Sequence, residues 1–469
     1  MGNVLPLHRV LFALITIISS RGSVAHVKKE PRISVGIMDR QAEINGRLNG
    51  TFVGQGFGPV SGIFSAKGAS GTVVLTDGSG REIARSPSVT LSAGNNSAFA
   101  LFRVIIGNRF HWERQEDQIF EGDLVLQSRE DGTIAAINEI SIEDYLKSVI
   151  SSEMSATAPP EFLKVHAILS RSWLLAALDR KENKGEEPGS EGKISEKQGE
   201  ITRWYDREDH DLYDVCADDH CQRYQGITKI VSAEAEKAVR ETRGMAIAYE
   251  GRICDARYSK ACGGLTEDFE TAWDEKRIPY LVSIPDTPVS HHAIKTEDEA
   301  ARWILSEPDA YCNTKEPALL EKILPDFDRE TTAFFRWRVE YGRQELERIL
   351  REKSGIDFGT LKELVPLHRG RSGRISRLKI VGSRKTVIVG KELEIRRWLS
   401  PSHLLSSAFV VTAEHDRHGK VERFVFRGAG WGHGVGLCQI GAAVMATRGF
   451  KADEILGHYF PGVTIQKVY

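Results

Sequence analysis

One carboxylate in the stretch SSEMSATAPPEFLKVHAILSRSW (Ser151–Trp173) lies where it could do proton chemistry. Glu153 continues the apolar face of a predicted helix. The other members of that face are Ile142, Leu146, Val149 and Ile150. Glu153 also ends the helix, where the helix dipole and burial both favour the protonated acid that general acid catalysis requires. The alternative interpretation is a glutamate that turns out to solvent from a frayed helix end.

Two cations follow in the next predicted helix, which begins at the proline pair Pro159-Pro160. Lys164 and Arg171 are seven residues apart, so they share one helical face. Two cations beside a carboxylate could hold an acidic ligand. The alternative is a partly exposed helix whose long side chains extend their charges to water.

The stretch DHDLYDVCADDHCQRYQG contains two histidines and two cysteines at the spacing H-x5-C-x3-H-C. These four residues, His210, Cys216, His220 and Cys221, make a complete tetrahedral ligand set for structural zinc. A full set leaves no open position, so the metal would brace a loop and take no part in catalysis. The alternative is a disulfide between Cys216 and Cys221 with incidental histidines.

Two further motifs have the composition of binding loops. CDARYSKACGGLTED places Tyr258 and Ser259 before a Gly-Gly turn, which also fits an ordinary surface turn. GAGWGHGVGLCQIGAAVMATRG (Gly428–Gly449) alternates glycine with other residues, and its backbone can approach a ligand closely. His433 in this loop could shuttle a proton or donate a hydrogen bond to a ligand.

The elements around these motifs indicate a mixed α+β fold. Short apolar or alternating runs between turn residues predict strands from about Arg32 to Ala136. The two helices described above follow, and then the charged stretch Lys181–Glu200, which we interpret as a mobile surface loop. Residues 286–366 read as largely helical, and the last hundred residues return to strands before the glycine-rich loop. The suggested divisions are 1–25, 26–125, 126–285 and 286–469.

Residues 1–25 have the pattern of an export signal. A basic start precedes the apolar run VLFALITII and a small-residue cleavage pattern, with an uncleaved anchor as the alternative. No later segment of the sequence is long and apolar enough to span a bilayer, so we expect a periplasmic or extracellular protein. The net charge of −2 does not favour a nucleic-acid partner.

Six cysteines in an exported chain permit disulfides. The sequence does not decide how four of them are used, as thiols or as disulfides. They are Cys254, Cys262, Cys312 and Cys438.

Several motifs taken together resemble the stage II sporulation protein D/LytB family. They occur in family order from about Ile137 to the C-terminus, and residues 286–366 match poorly. The matching stretches are INEISIEDYLKSVISSEM, PPEFLKVHAILSRSW, YEGRICDARYSKACGGLTE, PYLVSIPD, GAGWGHGVGLCQIGA and EILGHYFPG.

The resemblance implies a lytic transglycosylase that cleaves peptidoglycan glycan strands after their stem peptides have been removed. It implies a SpoIID-like catalytic core in residues 126–285, with Glu153 in the family's S-x-E-M segment as the catalytic residue. It places the family's helix cations at Lys164 and Arg171, which would bind the lactyl carboxylates of the glycan. No cofactor is implied for catalysis.

The same resemblance implies a glycan-binding groove lined by Tyr258, Ser259, His433, Gln439 and Tyr459. Some family members hold a structural zinc through Cys and His, which supports the metal interpretation given above. The chain departs from the family's Y-H-S-x-S-G-G pattern in YSKACGG, so no role is carried over for that histidine. Cys438 stands where the family's glycine motif commonly has serine.

A second functional class fits the same motifs. The LytB branch is described as an amidase enhancer, so the chain could be a non-catalytic glycan-binding protein that recruits or stimulates a cell-wall amidase. A zinc hydrolase is disfavoured, because the predicted four-ligand site has no open position.

Overall fold

A computed structural model of the chain describes residues 29–54, 56–108, 113–182, 194–197, 199–204, 210–289, 294–329 and 331–469. The predicted signal peptide, residues 1–25, lies outside these ranges. Within them the chain forms 24 strands and ten α-helices, with 26% of residues helical and 38% in strands. The predicted α+β class is confirmed. In the same part of the chain, no helix is long and apolar enough to cross a membrane.

An eleven-stranded, mostly antiparallel sheet dominates the N-terminal part. Its strands are β1 (Arg32–Gln41), β2 (Glu43–Gly54), β3 (Phe57–Ala69), β4 (Thr72–Asp77), β5 (Glu82–Ser86), β6 (Ser88–Ala93), β7 (Ala98–Ile106), β8 (Arg114–Glu121), β9 (Asp123–Ser128), β10 (Ile134–Ser141) and β13 (Val215–Cys216). Alternation places one face in the core, as in β2, where Ile44, Leu48 and Phe52 are buried. The sheet continues past the suggested division at residue 125, because β9 pairs with β6 and β10. The domain divisions stay predictions.

Three helices pack against one another beside this sheet: α1 (Ile142–Glu153), α2 (Pro160–Glu182) and α3 (Ala233–Glu241). The Ser141 side chain caps α1 by accepting the N–H of Asp144 at 3.2 Å. α1 ends at Glu153, because Met154 adopts an extended backbone. Both helices predicted around the proline pair are therefore present, and Glu153 is the last residue of the first.

A short parallel pair of strands links the middle of the chain to the glycine-rich motif. β16 (Tyr258–Ser259) pairs with β23 (Leu437–Cys438), so that Ser259 lies opposite Cys438. The neighbouring elements are α9 (Gln439–Thr447), α10 (Ala452–Tyr459) and a three-stranded sheet of β14 (Met245–Tyr249), β15 (Arg252–Ile253) and β24 (Thr464–Lys467). This pairing brings residues from two distant motifs to one side of α1 and α2.

The remaining elements form two further sheets with helices packed on them. The five-stranded sheet contains β11 (Ile194–Lys197), β12 (Glu200–Arg203), β18 (Leu361–Arg369), β19 (Ile375–Gly382) and β20 (Thr386–Gly390), and the three-stranded sheet contains β17 (Arg336–Gly342), β21 (Phe409–His415) and β22 (Val421–Ala429). The helices are α4 (Phe269–Ala272), α5 (Glu297–Leu305), α6 (Pro317–Ile323), α7 (Arg343–Ser354) and α8 (Glu392–Trp398).

Two sequence expectations are corrected by these sheets. In the described part of the stretch 181–200, β11 and β12 form a hairpin whose second strand pairs in parallel with β20. Residues 183–193 and 198 of this predicted loop lie outside the described ranges. Residues 286–366 are not purely helical, because β17 pairs with β22 along its full length. In both cases the strand is stabilised by a partner distant in sequence, which local composition does not reveal.

Candidate active site

Glu153 lies at the end of α1 with 8% of its surface exposed. Its Oε1 accepts two hydrogen bonds, from the Tyr258 hydroxyl at 2.9 Å and from the backbone N–H of Arg223 at 3.0 Å. Among the described residues, no hydrogen bond reaches Oε2. The two carboxylate oxygens are therefore held unequally by the described residues.

A neutral histidine packs against the ring of Tyr258. His166 is fully buried, and its ring packs edge-on against the Tyr258 ring at 5.0 Å. Burial, assisted by the charge of Lys260, lowers the pKa of His166 to about 3. The Gln439 amide donates to Nε2 at 2.9 Å, and Nδ1 then donates to the Ser170 hydroxyl at 3.2 Å. Gln439 thus acts on the site through His166 and Tyr258.

Two cations flank Glu153, and neither is one that the sequence analysis singled out as a ligand-binding cation. Lys260 Nζ donates to the backbone carbonyl of Glu153 at 3.0 Å and pairs with Asp328 at 2.8 Å. Arg223 pairs with Asp219 at 2.5 Å. Burial alone would disfavour the charged guanidinium, but the surrounding carboxylates of Asp219, Glu153 and Asp328 raise the pKa of Arg223. Glu153 therefore belongs to a buried cluster of charges in which Arg223 and Lys260 are each paired with an aspartate.

The two predicted helix cations pair with other carboxylates than Glu153, and their assignment to ligand binding stays a prediction. Lys164 forms ion pairs with Glu161 at 3.1 Å and Glu241 at 2.9 Å. Arg171 is fully buried and binds both carboxylate oxygens of Glu143, at 2.9 and 2.6 Å. Arg171 also donates to the backbone carbonyls of Ala167 and Met245. Its guanidinium is therefore engaged by protein groups in this structure.

Tyr459 and His433 also face protein groups and do not reach Glu153. Tyr459 is fully buried and donates its hydroxyl to Asp286 Oδ1 at 2.5 Å. His433 Nδ1 accepts the N–H of Val435 at 3.0 Å, and its ring packs edge-on against Trp273. The structure therefore shows both side chains in contact with protein groups, and their glycan-binding role stays a prediction.

Ser259 is 6% exposed, and its Oγ has no hydrogen-bond partner among the described residues. The neighbouring glycine loop approaches it closely, since a Cβ on Gly432 would lie 3.0 Å from the Ser259 Cβ. Gly432 has a φ of 98°, which an L-residue rarely adopts. An unsatisfied buried hydroxyl next to Tyr258 is consistent with a polar ligand partner at this position.

The four predicted metal ligands come together. The ligand atoms of His210, Cys216, His220 and Cys221 all lie within 4.8 Å of one another. Cys221 Sγ is 3.4 Å from His210 Nε2 and 3.4 Å from His220 Nδ1. The loop that carries them continues directly to Arg223, whose N–H holds Glu153. The cluster is therefore placed to brace one wall of the site.

Sequence reasoning missed Arg223, Asp219 and Asp328. The sequence offers one indication for Arg223, because this residue lies two positions after the last ligand of the predicted metal motif. Asp328 had none, because it comes from a short 3-10 turn (Asp326–Asp328) in a region with no recognised motif.

Glu153 is a buried glutamate at a helix end that accepts a hydrogen bond from a tyrosine beside a glycine-rich turn. Comparison with known families indicates which class of protein has such a site. Residues 130–249, which include α1, α2 and α3, match the family model described as Stage II sporulation protein (SpoIID). Residues 267–436 match a domain of unknown function (DUF8618). These matches confirm the resemblance to the SpoIID/LytB family that the motifs indicated.

Curated relatives agree with this assignment. The chain is 26% identical over 334 residues to an uncharacterized protein of Brachyspira hyodysenteriae. This alignment covers 71% of this chain and 68% of that protein. It is 24% identical to stage II sporulation protein D of Bacillus amyloliquefaciens, over 71% of this chain and 76% of the relative. It is 23% identical to the amidase enhancer of Bacillus subtilis, over 50% of this chain and 33% of that protein.

Proposed function

We propose that this protein is an exported lytic transglycosylase that cleaves peptide-stripped peptidoglycan glycan and leaves 1,6-anhydro ends. The proposal rests on the unequal hydrogen bonding of the two carboxylate oxygens of Glu153. Its Oε1 accepts from Tyr258 and from the Arg223 N–H, while no hydrogen bond among the described residues reaches Oε2. A carboxyl group fixed in this way can present one oxygen to a glycosidic bond.

The reaction needs one group that first gives and then takes a proton. Glu153 protonates the glycosidic oxygen as the bond to the muramic acid C1 breaks. The resulting carboxylate then removes the proton of the C6 hydroxyl, whose oxygen attacks C1 and closes the 1,6-anhydro ring. The proton returns to Glu153, and no water is consumed.

A hydrolytic glycosidase would need a second carboxylate beside the scissile bond. Two other carboxylates belong to this region, the partly buried Asp219 and the buried Asp328, and both are paired with cations. Asp219 pairs with Arg223, and Asp328 pairs with Lys260. The single-acid reaction is proposed because it needs no carboxylate besides Glu153.

Arg223 and Lys260 take the place of the two helix cations as candidates for attracting an anionic glycan. Removal of the stem peptides leaves lactyl carboxylates as the charged groups of the strand. A lactyl carboxylate bound near Glu153 would share these two cations with Asp219 and Asp328.

Zinc in the His210, Cys216, His220 and Cys221 cluster completes the proposal. Two imidazoles and two thiolates are the donor set that tetrahedral structural zinc prefers, and the ligand atoms converge as such a site requires. Bound zinc would supply rigidity and not reactivity. It would fix the loop that directs the N–H of Arg223 at Glu153.

The test is Glu153→Gln on purified protein, incubated with glycan strands whose stem peptides have been removed enzymatically. We expect the variant to bind the strands but to release anhydro products at least about 100-fold more slowly. The matched control is Glu241→Gln, an exposed carboxylate on α3 that should leave turnover unchanged. Full activity in Glu153→Gln would refute the assignment of the acid.

The second candidate is a non-catalytic glycan-binding protein that stimulates a cell-wall amidase. The observation that favours it is the similarity to the amidase enhancer, together with the small exposure of Glu153. Mass spectrometry of the incubated strands separates the two functions, because only the enzyme produces anhydro ends. Stimulation of an added amidase without anhydro ends would support the second candidate.

A further inference from the structure

We infer that Cys262, Asp286, Cys312 and Cys438 form a second structural zinc site. Their ligand atoms all lie within 4.8 Å of one another. All four residues are buried, with exposures of 2%, 0%, 1% and 0% respectively. Three thiols and one carboxylate provide four donors of the kinds that zinc accepts in proteins.

The distance between the cysteine sulfur atoms distinguishes a metal site from a disulfide. Cys262 Sγ and Cys312 Sγ are 3.7 Å apart. Two sulfurs at the usual bond length from one tetrahedral zinc lie about 3.8 Å apart. Disulfide sulfurs lie about 2.05 Å apart, and none of Cys262, Cys312 and Cys438 is disulfide-bonded in the structure. A disulfide between any two would also leave the third sulfur and Asp286 without their common partner.

Hydrogen bonds already orient the ligands. The N–H of Cys312 donates to Asp286 Oδ2 at 2.8 Å, and the Tyr459 hydroxyl donates to Oδ1. The N–H of Cys262 donates to Cys438 Sγ at 3.2 Å. Donors that hold a carboxylate and a thiolate in this way are typical of the groups that surround metal ligands.

A zinc ion with three thiolates and one carboxylate carries a net negative charge, which the surroundings offset. Cys438 is the N-cap of α9, where the helix dipole is positive. Arg336 donates to the carbonyl of Gly263, next to Cys262, and interacts electrostatically with the thiols of Cys312 and Cys262. An anionic cluster buried at this point therefore has counter-charge on two sides.

The position of the cluster explains what such a site would stabilise. Cys438 pairs in register with Ser259 and directly precedes Gln439, which holds His166 behind Tyr258. Cys262 follows the other strand of that pair by three residues. Zinc here would clamp β16 to β23 and keep Tyr258 aligned with Glu153, independently of which reaction the site performs.

Zinc content of the whole chain tests this inference without any activity measurement. Elemental analysis and native mass spectrometry of protein produced in zinc-containing medium should give two zinc ions per chain. The His210→Ala/Cys216→Ser variant removes the first cluster and should retain one. Cys438→Ser and Cys312→Ser should each lose one equivalent, whereas Cys254→Ala, a buried cysteine outside both clusters, should lose none.

Two further measurements leave all four ligands of this cluster in place, so they do not depend on whether the cysteine variants fold. Peptide mapping under non-reducing conditions should find Cys262, Cys312 and Cys438 as thiols after denaturation in chelator. Cobalt-substituted His210→Ala/Cys216→Ser protein should show sulfur-to-cobalt charge-transfer absorption. A His210→Ala/Cys216→Ser protein that folds without zinc, or a disulfide among the three cysteines, would overturn the inference.

Discussion

Tyr258 donates its hydroxyl to Glu153 Oε1 at 2.9 Å, although the two residues are 105 positions apart in the chain. Burial and the neighbouring Glu153 carboxylate raise the pKa of Tyr258, so it remains a hydrogen-bond donor at physiological pH. The bond holds the carboxylate at the end of α1 with one oxygen committed. Tyr258 is therefore a positioning residue in the proposed reaction.

Replacing Tyr258 with Phe should slow release of anhydro products by about 10- to 100-fold, because a hydrogen bond to a charged group is worth about 1.5–3 kcal/mol. The affinity for stripped glycan should change little, so the loss should appear in kcat and not in KM. Steady-state kinetics on defined strands checks this. Tyr249→Phe, a half-buried tyrosine that packs against Tyr280, is the control and should behave as wild type.

Replacing Arg171 with Met should lower the free energy of unfolding by about 3–5 kcal/mol, because it leaves Glu143 buried without its cation. Denaturant titration measures this, and the double variant Arg171→Met/Glu143→Gln should recover part of the loss. The control is Lys164→Met, whose partly exposed ion pairs should cost no more than about 1 kcal/mol. Weaker glycan binding by Arg171→Met with unchanged stability would instead restore the ligand-binding role.

The buried, neutral His166 should make folding stability depend on pH. Its pKa is about 3 in the folded protein, below the ordinary value of 6.5, so the unfolded chain binds the extra proton first as pH falls. The stabilising contribution is complete above about pH 6.5 and is lost progressively down to about pH 3. Between pH 8 and pH 5 the loss should be about 2 kcal/mol.

Denaturant titrations at several pH values, with wild type and His166→Gln compared at each, isolate this contribution from that of other groups. The difference between the two proteins should shrink toward low pH. A difference that stays constant over this range would mean that the pKa of His166 is the same in the folded and the unfolded protein, which would contradict the prediction.

Removing the first metal cluster should weaken the site through the loop that carries Arg223. His210→Ala should lose one equivalent of zinc, unfold at lower temperature and turn over glycan more slowly, because the N–H that holds Glu153 loses its support. Elemental analysis, calorimetry and product assays measure the three effects. The exposed His418→Ala should change none of them, and a His210→Ala protein with full zinc content would contradict the ligand assignment.

Local sequence patterns were sufficient to predict the helices near the site. The apolar spacing before Glu153 and the proline pair after it predicted α1 and α2, and Gly244 closes the segment after α3 with a left-handed backbone. The His/Cys spacing likewise predicted a cluster whose ligand atoms do converge. These features depend on residues close together in sequence, so periodicity and turn chemistry reveal them.

The sequence by itself determined the α+β class, the family motifs and Glu153 as the acid to examine. Only the tertiary structure decided which charged groups surround that acid. Helical spacing placed Lys164 and Arg171 on one face, but burial commits Arg171 to Glu143, while Arg223 and Lys260 reach Glu153 from distant segments. A buried charge takes the partner that the packed chain brings to it, and no local pattern specifies that partner.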